Sequence, residues 1–96
     1  MSGGVLVTKP LTFSGRELRL NFATSAAGSI RVALRRPDGS PIPGYSMADC
    51  NEVFGDTLDR AVTWKSVSDA GRLAGKPVRL HFQLKDADLY AFQFVD

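Results

Sequence analysis

An all-β domain of antiparallel strands is the fold class this sequence predicts, and three observations predict it. The first is strict alternation. In Val78-Arg79-Leu80-His81-Phe82-Gln83-Leu84-Lys85 the apolar side chains fall on one side and the polar ones on the other. That period of two belongs to a strand with one face in a core and one in water. The second is punctuation: runs of this kind are separated by Gly, Pro, Asp and Ser clusters. The third is the near absence of helical spacing, with room for a single helical turn between Ser68 and Pro77. Six or seven strands in a chain of 96 residues imply two packed sheets. The expected closure is a jelly-roll or Greek-key sandwich, with an open barrel as the alternative.

The elements follow in order. Residues 1–4 read as a linker or an expression-derived extension, and residues 5–96 as one β-sandwich domain cut from a larger protein. Val5-Leu6-Val7-Thr8 forms a first strand, closed by Pro10. Glu17-Leu18-Arg19-Leu20-Asn21-Phe22 forms a second, with Leu18, Leu20 and Phe22 inward. Ser25-Ala26-Ala27-Gly28 reads as a small-residue turn. Ser29-Ile30-Arg31-Val32-Ala33-Leu34-Arg35 follows as a third strand, and Pro37-Asp38-Gly39 breaks the chain. Residues 41–59 have no period. So long an excursion is either functional or a plug packed on the sheets. Arg60-Ala61-Val62-Thr63-Trp64-Lys65 resumes a strand, and the last two strands flank Asp86-Ala87-Asp88 as a hairpin.

Composition sets bounds on function. A net charge of +2 lacks the clustered basic footprint of nucleic-acid binding. No apolar run approaches the roughly 20 residues of a membrane-spanning helix. The single cysteine, Cys50, excludes an intramolecular disulfide. Charge is nonetheless segregated. Apart from Glu17, the acids that precede the last two strands lie between Asp38 and Asp69, while arginines line the strands. A monomer without cofactor is the expectation.

Five segments, taken in order, carry a resemblance. They are Ser25-Ala26-Ala27-Gly28-Ser29-Ile30-Arg31-Val32, Ala48-Asp49-Cys50-Asn51-Glu52-Val53-Phe54-Gly55-Asp56, Val62-Thr63-Trp64-Lys65, Leu73-Ala74-Gly75-Lys76-Pro77-Val78-Arg79-Leu80 and Lys85-Asp86-Ala87-Asp88-Leu89-Tyr90-Ala91-Phe92. As a set they resemble a C-terminal β-sandwich module of large bacterial glycosidase-like proteins. There the module follows a five-bladed propeller of the invertase/levanase type, or is attached to other secreted proteins. The resemblance runs from about Val5 to Phe94. It implies a non-catalytic accessory domain of a glycoside hydrolase-like parent, extracellular or periplasmic, with the catalytic carboxylates elsewhere. Its partners would be the rest of the parent polypeptide and, in one reading, a polysaccharide. The other reading is a purely structural module that packs on its parent.

No residue set points to catalysis. Asp49, Glu52, Asp56 and Asp59 are the densest carboxylate group. Their spacing does not match the regular calcium-loop pattern, so Asp49, Glu52 and Asp56 are weak calcium candidates, and carboxylates solvated or paired with arginine are the favoured reading. His81, the only histidine, has no nucleophile signature around it and reads as an exposed strand residue. Cys50 sits among acids that would raise its thiol pKa, which makes it a plug and not a nucleophile. Trp64 shares its strand face with Val62, and Tyr90 reads with Phe92 and Phe94, so both belong to the core by alternation. That leaves Tyr45, in the loop, as the aromatic expected to stack on a sugar ring. Arg79, His81 and Gln83 on the polar strand face would hydrogen-bond to hydroxyls.

Overall fold

The computed structural model describes residues 4–96 except Ser66 and Ser68; residues 56–59 are described by their backbone alone. Among these residues the fold is antiparallel β throughout, with one turn of 3-10 helix at Gly71–Leu73. Four strands form one sheet: β1 (Gly4–Val7), β2 (Glu17–Arg35), β3 (Asp56–Ala61) and β4 (Arg79–Val95), in the order β1-β4-β2-β3. Gly4, expected in a linker, is the first residue of β1 and pairs with Leu84.

The alternation places its faces as the sequence implies. Leu18, Leu20, Phe22, Ile30, Val32, Leu34, Val62, Leu80 and Phe82 are buried in one core, and Phe92 and Phe94 pack partly buried against it. The strand count is corrected. The segment 25–28 is not a turn between two strands, nor is 86–88 a hairpin. β2 and β4 run through both points as long partners, from Glu17↔Val95 to Arg35↔Arg79. The register slips between Thr24 and Ser29, where four residues of β2 stand against Asp86 alone. This is an enlarged bulge, which kinks and twists a strand without ending it. Asp86 takes the left-handed region, with φ +47°. Gly28 lies so close to its partner that a Cβ there would sit 2.6 Å from the Lys85 carbonyl oxygen and nearer still to that of Asp86.

A second bulge falls between Asn21 and Phe22, which pair with Ala91 and Leu89. Tyr90 is the extra residue. It is 67% exposed, so its expected place in the core is corrected: the bulge breaks the alternation on which that place depended.

The loop 41–55 is the packed plug that its length allowed. β3 covers only the first half of β2, and the loop covers the second. Ile30 exchanges both main-chain bonds with Val53, at 2.8 and 3.0 Å, and the Leu34 amide donates to the Tyr45 carbonyl at 3.0 Å. Between them, the Val32 amide donates to Cys50 Sγ at 3.2 Å, and Trp64 Nε1 donates to the Val32 carbonyl at 2.9 Å. Side chains there complete the main-chain bonding that a buried strand requires.

Candidate functional site

The outer face of the sheet carries the polar side chains, and its two halves differ. Around Arg35 and Arg79, which stand directly opposite each other in register, the face is cationic. Like charges so placed repel. Each arginine is held by carbonyl oxygens: Arg79 Nε donates to Pro37 at 2.8 Å, Arg79 Nη1 to Thr8 at 3.3 Å, and Arg35 Nη1 to Gly39 at 3.4 Å. The turn at 36–40 that they grip forms as its residues predict. Gly39 has φ +91°, and the Ser40 amide donates to the Asp38 carboxylate at 2.8 Å.

His81 is paired with Val7 on one side and Ala33 on the other, two residues along from Arg79. Its Nε2 is buried without a hydrogen-bond partner among the described residues. Burial first, then the charges of Arg35 and Arg79, pull its pKa below the ordinary 6.5. Its surroundings therefore disfavour the charged ring, and the side chain is half-buried, in contrast to the exposed histidine expected. Gln83 is exposed on the same face, opposite Val5. Arg79, His81 and Gln83 are thus brought together, as alternation requires.

Tyr45 is not with them, and its expected role as an exposed stacking aromatic is corrected. Its ring is fully buried. It meets Trp64 edge-on at 5.1 Å between centroids, and its hydroxyl donates to the Asp69 carbonyl at 3.0 Å. Both sides of that ring have partners inside the fold, and no sugar can reach it.

The acidic loop is used internally. Ser46 Oγ donates to Asp49 Oδ2 at 2.9 Å, and the Asp49 amide donates back to Ser46 Oγ at 3.1 Å. Glu52 pairs with Arg31 at 3.1 Å, and hydrogen bonds from Ser29 and Arg31 hold its carboxyl below the usual range. The side chains of Asp56 and Asp59 lie outside the described residues. Cys50 is buried, and burial is the main cause that raises its thiol pKa. Glu52 adds only the smallest share, so the direction expected from the neighbouring acids holds for a different reason.

The other half of the face holds a feature that alternation alone did not single out. Arg19 and Asn21 of β2, with Ala91 and Gln93 of β4, line a concavity of about 120 Å³. Arg19 pairs with Gln93 and Asn21 with Ala91 across the strands. Ala91 leaves space where a longer side chain would fill the gap. Glu17 accepts from Arg19 Nη2 at 2.7 Å and from Nε at 3.1 Å, which fixes the guanidinium. The bulge that exposes Tyr90 adjoins Ala91. In the sequence, the sign of this site is the run Arg19, Asn21 on one strand and Ala91, Gln93 on another; only the register shows that the two runs meet. No family model matches this chain, and no curated protein or solved structure matches it.

Proposed function

We propose that this domain is a non-catalytic accessory module of a glycoside hydrolase-like protein and binds carbohydrate on the outer face of its sheet. The observation that carries the reading is the concavity lined by Arg19, Asn21, Ala91 and Gln93, next in the chain to the bulge that exposes Tyr90. Planar amide and guanidinium groups suit vicinal hydroxyls, and an exposed aromatic suits the C–H face of a sugar ring. The family resemblance of the sequence points the same way, to an extracellular or periplasmic setting. The accompanying fold reading is a two-sheet sandwich of jelly-roll or Greek-key type. It is supported by the paired bulges in β2 and β4 and by the single core shared by both halves of those strands.

Such a site is shallow, and each net hydrogen bond is worth about 0.5–1.5 kcal/mol, so Kd for one sugar site is on the order of 0.1–1 mM. The test is titration of the isotopically labelled domain with neutral plant and algal oligosaccharides, followed by amide shifts. Shifts centred on Arg19, Asn21, Ala91 and Gln93, and weakened by Gln93→Ala, are expected. Their absence at millimolar ligand across a broad panel would overturn the reading.

A second reading, docking onto the parent polypeptide, is favoured by β1. Val5, Leu6 and Val7 are 67%, 46% and 45% exposed. An apolar edge strand of this kind is a template for contact with another chain. Slower hydrogen exchange at these amides in a longer form of the protein would support it.

A further inference from the structure

A cleft of about 290 Å³ lies between the turn that follows β2 and the segment that leads into β4. Ile42, Pro43, Pro77 and Val78 give it an apolar wall, and three cations line it as well: Arg36, Arg72 and Lys76. Among the described residues that line it there is no carboxylate. Two of the cations are fixed in place. Arg36 Nη1 donates to the Pro41 carbonyl at 2.9 Å, and the Arg72 guanidinium lies over the Tyr45 ring, 5.9 Å from its centroid. The third, Lys76, is held by its main chain, whose amide donates to Leu73 at 3.1 Å. The ion pairs among the described residues join Arg16 to Asp69, Arg19 to Glu17 and Arg31 to Glu52, and none involves these three. Asp38, close to Arg36 in the chain, accepts the Ser40 amide, and its carboxyl is lowered by that bond first and also by the Arg36 charge.

Arg36 has Asp38 as an electrostatic neighbour and Arg72 shares another rim with Asp69, but neither carboxylate lines the cleft, and the three like charges that do line it favour an anion there. Guanidinium forks match a carboxylate in shape as well as charge. The proline rings and Ile42 form flat C–H surfaces against which the apolar face of a sugar ring can lie. The volume is near the lower limit of about 300 Å³ for small-molecule sites, room for one or two rings. An extended peptide is less well served, because Val78 already exchanges both main-chain bonds with Leu11 at 2.8 Å and offers no strand edge. Resting on the carbohydrate-binding reading above, we infer that this cleft binds a hexuronate unit of an acidic polysaccharide, with Arg36, Arg72 and Lys76 on the carboxylate and Pro43 and Pro77 against the ring.

The experiment is a titration of the labelled 96-residue chain at low salt with four probes: trigalacturonate, neutral galactotriose, a sulfated disaccharide and hexaglutamate. The amides of Arg36, Leu73, Lys76 and Val78 are expected to shift with trigalacturonate, at least tenfold more tightly than with galactotriose. Lys76→Gln and Arg36→Gln, both at exposed side chains, should each weaken binding several-fold at an unchanged melting temperature. If both trisaccharides bind equally, the uronate assignment falls while the carbohydrate reading stands. If neither trisaccharide shifts any amide, the uronate assignment falls, and the carbohydrate reading is decided separately by the broad neutral panel. Equal or tighter binding of the sulfated sugar or of hexaglutamate at the cleft overturns the choice of ligand class. Shifts from trigalacturonate confined to Arg19, Asn21 and Gln93 overturn the site.

Discussion

Val32 takes neither of its outward main-chain bonds from another main chain; the Cys50 sulfur and the Trp64 indole complete them. This makes Trp64 a hydrogen-bond donor as well as a core residue. Trp64→Phe keeps an aromatic ring but leaves a buried carbonyl without a partner. It should lower unfolding free energy by about 1–3 kcal/mol, read from the urea midpoint. An unchanged midpoint would mean that the Val32 carbonyl finds water. His81 makes a prediction in pH. Its folded pKa lies below the unfolded 6.5, so across the gap the unfolded chain binds more protons. Stability is complete above 6.5 and falls as pH drops through that value toward the folded pKa. The melting temperature of the parent domain should therefore fall between pH 7.5 and 5.5, and that of His81→Gln should fall less. Glu52 and Asp38, both lowered from ordinary values of 4.5 and 3.8, lose their contributions only at more acid pH. Equal slopes for parent and variant would remove His81 as the cause.

At the scale of elements the two bulges decide the architecture. Gly28 leaves no room for a side chain, since a Cβ would meet the carbonyls of Lys85 and Asp86. Gly28→Ala is expected to cost about 1–3 kcal/mol through forced backbone movement, with the melting temperature as the measure; a neutral result would show that the bulge yields freely. These bulges also mark the limit of what could be read from the sequence. Which residues of 17–22, 29–35 and 78–85 face inward is a local property, and the alternation told it correctly. The turn at Pro37-Asp38-Gly39 is local too. Ser25-Ala26-Ala27-Gly28 and Asp86-Ala87-Asp88 use the same residue types for a bulge as for a turn, and only the partner strand distinguishes them. Tyr45 sits in a segment without period, and its burial depends on Trp64 and Asp69, distant in sequence. The concavity at Asn21 and Gln93 and the cleft at Arg36 and Lys76 likewise exist only once separate segments meet.

The whole molecule depends on one core shared by β2, β4, the loop 41–55 and the segment 62–78, with β1 outside it. Phe82 is at its centre, fully buried and 5.5 Å from the Phe92 ring. Phe82→Ala should cost about 3–5 kcal/mol through lost burial and the cavity left behind. That is a large share of the roughly 5–15 kcal/mol that stabilises a typical domain. A denaturant midpoint equal to that of the parent would contradict the core assignment. Val5→Lys, on the exposed β1, should by contrast change stability by less than about 0.5 kcal/mol. The strand order has a consequence for biosynthesis. β4 lies between β1 and β2, yet it is the last of the four to leave the ribosome. Until Val95 has emerged to meet Glu17, the apolar faces of the earlier strands have no partner to close over them. The nascent chain is then an open sheet in waiting, and a ribosome stalled anywhere before β4 would release a product for chaperones and not a smaller version of the fold.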